Sequence, residues 1–167
     1  MSAFELRLAN YGKPEDAKAL AGLLHSYSSD EMGGAEPLPM EHCNRAAHRL
    51  QQFGSAFTVL AFDRDSDPAS PVGMATCLLS FSTFLLKPIV NIHDFFVAEA
   101  ARGSGVAMLL LEEVERQAKQ RGCCKITLEV LSNNERAKRL YARFGFNGYE
   151  LTQGAGIAQF WQKYICD

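Results

Sequence analysis

Arg102-Gly103-Ser104-Gly105-Val106-Ala107 stands where a nearly continuous apolar run, Ile89 to Val97, gives way to an amphipathic stretch. A strand that turns straight into a helix exposes the first N–H groups of that helix, which have no intrahelical partner and carry a partial positive charge. Two glycines at the turn let a ligand reach the main chain without meeting a side chain. The segment is therefore a candidate phosphate cradle, formed by Gly103, Ser104, Gly105, Val106 and Ala107 with the charge of Arg102 beside it.

The flanking segments support a strand–helix–strand reading. From Val106, apolar residues recur at Leu109, Leu110, Val114 and Ala118, one helical stripe that stops before Gly122. Lys125 to Val130 alternates, with Ile126, Leu128 and Val130 on one face and Thr127 and Glu129 on the other, as a strand requires. A second helix is expected from about Asn133 to Phe144, with Ala137, Leu140, Tyr141 and Phe144 on its apolar side and Gly145 as its stop. Ile89 to Val97 has the composition of a central strand covered on both faces, interrupted by Asn91, His93 and Asp94.

Upstream, the pattern predicts a strand over Phe4–Ala9, a helix opened by Pro14 and running through Ala17, Leu20, Ala21 and Leu24, and a Gly- and Pro-containing loop from Ser28 to Pro39. Met40 to Phe53 reads as one further helix. Ser55–Phe62 and Val72–Phe84 read as an antiparallel hairpin joined by the turn Asp63 to Pro68. Two last strands are expected at Tyr149–Thr152 and Gln159–Ile165, around the loop Gln153 to Gly156.

Composition narrows the classes of function. With 167 residues, 47% of them apolar, the chain is expected to form a single domain over 1–167. A net charge of −2 and an isoelectric point near 6.1 argue against a nucleic-acid partner. The apolar runs are too short to span a bilayer and the start is unlike a secretory signal, so no membrane partner and a cytoplasmic location are expected. The five cysteines lack metal-ligand spacing, and the reading carries no metal.

Two motifs together carry a resemblance. The spacing Arg102-x-x-Gly105-x-Ala107, just after Asp94-Phe95-Phe96-Val97, is similar to the acetyl-coenzyme A loop of the GCN5-related N-acetyltransferases, the GNAT superfamily. Asn134-x-x-Ala137-x-x-Leu140-Tyr141-x-x-x-Gly145-Phe146 resembles that family's second motif, in the expected order. The resemblance is specific from about Ile89 to Phe146. It implies an α/β fold of the α+β kind, with a central mixed, mostly antiparallel sheet flanked by helices and a splayed parallel strand pair.

By the same resemblance, acetyl-CoA is the acyl donor. The backbone of Phe95, Phe96 and Val97 would pair with its pantetheine arm, and the Gly103–Ala107 amides, with Arg102, would hold its pyrophosphate. Asn134 would reach the arm or cap its own helix, and Tyr141 would be the acid that protonates the departing thiolate or a core aromatic residue. The base is open between His93 itself and Asp94 or Glu129 acting through water. Polyamine acetyltransferases carry a carboxylate pair before Phe-Phe-Val, whereas this chain has His93 beside Asp94.

The implied activity is transfer of acetyl to a primary amine of a small metabolite, by direct attack in a ternary complex, with a homodimer as a common assembly of the family. A non-catalytic acyl-CoA sensor, a protein amine as acceptor and a longer acyl donor are the other readings. Between Lys18 and Arg45 there is no lysine or arginine, while Asp30, Glu31, Glu36 and Glu41 all lie there. Such an acidic rim would draw a cationic amine.

Overall fold

The computed structural model describes residues 3–66, 69–148 and 159–165. Strand β1 (Phe4–Leu8) leads to helix α1 (Pro14–Ser29), then to the short helices α2 (Met40–Asn44) and α3 (Ala46–Phe53). Strands β2 (Ala56–Asp63), β3 (Ser70–Ser82) and β4 (Lys87–Val97) follow, then α4 (Val106–Gln120), β5 (Lys125–Leu128) and α5 (Glu135–Phe144). Single 3-10 turns occupy Glu31–Gly33 and Glu99–Ala101. The strands lie in chain order in one sheet, antiparallel except for the parallel pair β4–β5. This is the mixed sheet that the two motifs imply.

Alternation along β2 assigns the two faces. Val59 and Ala61 join Ala75, Cys77, Val90 and Ile92 against Leu110, Leu111 and Val114 of α4. Leu60 and Phe62 join Met74 and Phe96 against Ala19, Leu20 and Leu23 of α1. The sheet is thus a filling between α4 on one side and α1 with α3 on the other, as a half-apolar strand and an amphipathic helix must arrange themselves. Gly73 lets α4 come close: a Cβ there would stand 3.0 Å from Leu110 Cδ1 and 3.1 Å from the Phe96 carbonyl oxygen.

Helix α1 starts where Pro14 needs no N–H partner, with Glu15 and Asp16 in its positive first turn. Asp16 is 1% exposed and satisfied twice, by the Asn10 N–H at 2.7 Å and by the Arg7 guanidinium. Arg7 also lies over the Phe62 ring of β2, 4.5 Å from its centroid, so it ties β1 to α1 through charge and to β2 through packing.

Four expectations change. The single helix over 40–53 is two helices, because the chain tightens at Arg45, whose N–H reaches back to His42 at 3.1 Å before Ala46 begins a new helix. Helix α1 runs on through Ser29 into what reads as loop. Strand β5 stops at Leu128, since β4 bends away and leaves Glu129 and Val130 with no strand beside them. Gln159–Ile165 is not a strand. Phe160, Trp161, Tyr164 and Ile165 are 78%, 84%, 82% and 91% exposed, and no strand among the described residues pairs with them, so alternation there has no ladder to join. The expected strand Tyr149–Thr152 and the loop Gln153–Gly156 lie outside the described residues.

Among the described residues no helix is long and apolar enough to cross a membrane. Leu110 is fully buried between α4 and the sheet. Leu110→Ala is expected to lower the free energy of unfolding by about 2–5 kcal/mol in urea denaturation, the range for a leucine whose cavity cannot collapse.

Candidate functional site

The cradle forms because the chain must reverse between β4 and α4. Gly103 and Gly105 both take positive φ, +82° and +92°, a region that glycine enters without the penalty of a Cβ. Gly105 caps α4 with no side chain to satisfy the helix start. Ser104 donates its hydroxyl to the Ala101 carbonyl at 2.6 Å, and Ser104 Oγ lies 3.5 Å from the Val106 nitrogen, a long contact. The N–H groups of Gly103, Gly105 and Ala107 have no partner among the described residues. A row of unused donors at the positive end of a fifteen-residue helix is a candidate site for an anion.

Beside the cradle, strand β4 offers a free edge. Its ladder with β5 runs from Ile89↔Lys125 to Ile92↔Leu128 and ends, although β4 continues to Val97. On its other side the register with β3 shifts between Thr76 and Cys77, so that His93 is an extra residue opposite no partner. This bulge also changes parity. Val90 and Ile92 face α4 before it, while Phe95 and Val97 face α4 after it, which turns Asp94 and Phe96 toward α1. The backbone from Phe95 to Val97 thus lacks a strand on the β5 side.

Arg102 closes over the end of that edge. Its Nε–H donates to the Val97 carbonyl at 3.1 Å, and its guanidinium pairs with the Asp30 carboxylate. Asn134 is the cap of α5, with Oδ1 accepting the Ala137 N–H at 3.1 Å; its Nδ2 takes no part in that cap.

Tyr141 lies on the α4 face, edge-on to Phe95 with ring centroids 6.0 Å apart and to Phe146 at 5.8 Å. Burial, with a smaller contribution from Tyr27, pushes its phenol up to about 12, so the proton stays on through the working range of any enzyme. Asp94 lies on the opposite face. Burial raises its carboxyl above the ordinary value, partly opposed by the positive charge of His93. His93, on the bulge, is exposed, so it is not a core histidine. Glu129 is exposed as well and accepts from Asn91 Nδ2 at 3.4 Å, while the same nitrogen reaches Thr127 Oγ1 at 3.2 Å.

Two further groups come into this cleft: Tyr27, which the sequence does not single out, and Asp30, which it offers only as one member of an acidic rim. Tyr27, at the end of α1, packs against Phe96 with centroids 5.8 Å apart, and its phenol is raised by burial, then by the charges of Asp94 and Asp30. Asp30 is the second. Burial alone would raise its carboxyl; the Met32 N–H, the hydrogen bond and charge of Arg102, and the charge of Arg136 together outweigh that and lower it. The sequence signal for Asp30 is its place in a stretch without lysine or arginine, whose missing cation arrives from Arg102.

The chain belongs to the Acetyltransferase (GNAT) family, whose model matches residues 21–146. It is 27% identical over 147 residues to the uncharacterized N-acetyltransferase YhfO of Bacillus subtilis (strain 168), a match covering 85% of this chain and 89% of that one. It is 32% identical over 92 residues to the thialysine N-epsilon-acetyltransferase of Bos taurus, where about half of each chain is covered, 54% of this one and 52% of that one. A solved structure described as a probable acetyltransferase shares the fold, with a TM-score of 0.79 at 21% identity over 98% of this chain and 99% of the other. The protein is an acetyltransferase, and members of its family generally take the acetyl group from acetyl-coenzyme A.

The two aspartates of the cleft are driven in opposite directions. A carboxyl-carbon NMR titration is expected to place the Asp30 midpoint below the ordinary 3.8 and the Asp94 midpoint above it. Since the Asp30 value is depressed, its contribution to stability is present above the unfolded-state value and lost as pH falls through the folded one. Midpoints in the reverse order would overturn this account of the site.

Proposed function

We propose that this acetyltransferase binds acetyl-CoA along the free edge of β4 and moves its acetyl group to the primary amine of a small metabolite by direct attack in a ternary complex. The observation that carries the reading is the meeting of two unsatisfied main-chain surfaces, the edge after Ile92 and the amides after Arg102. The first suits the amide groups of the pantetheine arm, the second the pyrophosphate. Phe95, Phe96 and Val97 supply the edge; Gly103, Ser104, Gly105, Val106 and Ala107 supply the cradle, with Arg102 and Asn134 at its margins.

The chemistry follows from what stands on each side of that edge. An alkylamine with a pKa of about 10.4 is protonated at neutral pH and must lose a proton before it attacks. Asp94, half-buried on the α1 side with a raised affinity for protons, is the base, directly or through water; exposed His93 and Glu129 are less shielded. As the new C–N bond forms, a backbone N–H of the free edge takes up the charge that develops on the carbonyl oxygen. The C–S bond then breaks, and Tyr141 on the other side gives its proton to the thiolate. The burial that raises this phenol would raise a thiolate in the same place too, which narrows the gap between them.

The acceptor is read as a small amine for two reasons. The bovine relative is named for the ε-nitrogen of thialysine, and Glu31, Glu36 and Glu41 are exposed along the segment that follows α1, where a cation would be drawn in. We place this activity in a single catalytic domain over 1–167, in a cytoplasmic homodimer that uses neither nucleic acid nor membrane.

Calorimetric titration with acetyl-CoA tests the donor site. Wild-type protein is expected to bind in the micromolar range, and Gly105→Glu, with a carboxylate in the cradle, to lose that binding while a circular-dichroism melt shows it folded. Absence of binding by folded wild-type protein would overturn the reading. In steady-state assays Tyr141→Phe is expected to reduce kcat by roughly 100-fold or more while the affinity for acetyl-CoA stays within about twofold; unchanged kcat removes Tyr141 from the acid role.

A further inference from the structure

Arg102 is already engaged within the protein at the place where an incoming pyrophosphate would need it. Its Nε–H holds the Val97 carbonyl at 3.1 Å, a group on the free edge of β4, and its guanidinium pairs with Asp30 Oδ2. The side chains are 25% and 22% exposed. Asp30 itself is anchored. Its Oδ1 accepts the Met32 N–H at 3.0 Å, and its carbonyl accepts the N–H groups of Gly33 at 2.8 Å and Ala35 at 3.1 Å. Of the two partners, the long arginine side chain is the one free to change hands.

We infer that Asp30 is a specificity-determining residue for the acceptor, masked by Arg102 until acetyl-CoA draws Arg102 onto its pyrophosphate. The inference rests on the acetyl-CoA site proposed above. A pyrophosphate seated on the Gly103–Ala107 amides offers several charged oxygens to a guanidinium one residue away, against a single oxygen offered by Asp30. Transfer of Arg102 also frees the Val97 carbonyl for the pantetheine arm. Asp30 then stands without its counter-charge at the end of α1, beside Tyr27 and within the field of Asp94, with Arg136 the cation still near it. A carboxylate newly exposed beside the catalytic face recognises a cationic amine. The donor thereby completes the acceptor site, and the two substrates bind in that order.

Asp30→Asn tests this, because asparagine keeps the oxygen that caps Met32 and removes the charge that holds Arg102. Calorimetry is expected to show acetyl-CoA binding roughly two- to fivefold tighter in this variant than in wild type, the fold-change that a partly exposed ion pair represents. The gain should vanish in an Arg102→Ala background, where there is nothing to release. At saturating acetyl-CoA, with n-butylamine, propane-1,3-diamine and thialysine as probes, Asp30→Asn should raise KM for the amines that turn over by about fivefold or more while kcat stays within about twofold. Unchanged or weaker acetyl-CoA binding, or a gain that persists without Arg102, overturns the handover. An unchanged amine KM overturns the role of Asp30 as recogniser. If wild-type protein binds no acetyl-CoA, it is the donor site that fails, a result distinct from either of these.

Discussion

The parting of β4 from β5 is the constraint on which the rest of this molecule depends. Two parallel strands gain a hydrogen bond for every paired group, and a ladder that stops at Ile92 while β4 runs on to Val97 leaves main-chain donors and acceptors at a partly buried edge. Such groups are paired in nearly all native proteins. The fold therefore leaves open an edge of the kind that the proposed strand-like ligand would need, and the extra residue His93 stands directly after the last pair of the ladder.

The same bulge sorts the groups proposed for catalysis. Without it, Asp94 would share a face with Ile92 and point into the α4 core. With it, the carboxyl turns toward α1 and Tyr27, while Phe95 turns toward α4 and presents an edge to Tyr141. The phenol and the carboxyl that we propose as acid and base are set on opposite faces of the sheet by one inserted residue. Their chemistry differs for the same reason, since each is desolvated yet each meets different neighbours, a second tyrosine in one case and His93 in the other.

What was legible in the sequence was local. The stripe of α4, the stop at Gly145 and the glycines of the cradle report periodicity and backbone freedom, which single residues encode. The bulge is legible only in retrospect, as a change of parity in which Val90 and Ile92 are followed by Phe95 and Val97. Contacts between distant segments were not legible: Asp30 and Arg102 meet across 72 positions, and nothing near either names the other. Gln159–Ile165 failed for a related reason, because alternation states which side chains share a face but not which strand completes the ladder. The division at Arg45 has no breaker residue to announce it.

Gly73 carries a consequence beyond packing. It lies outside the cleft, yet a methyl group at this position would press on Leu110 from one side and on the Phe96 carbonyl from another. Helix α4 is seated on that contact, with the proposed phosphate cradle at its N-terminal end, and the Phe96 carbonyl belongs to β4, whose free edge is the other half of the proposed cleft. The spacing between the two halves of the proposed donor site is therefore written into the absence of a side chain some distance away. Sequence drift at this buried position would retune the geometry of that proposed site without altering any residue assigned to it.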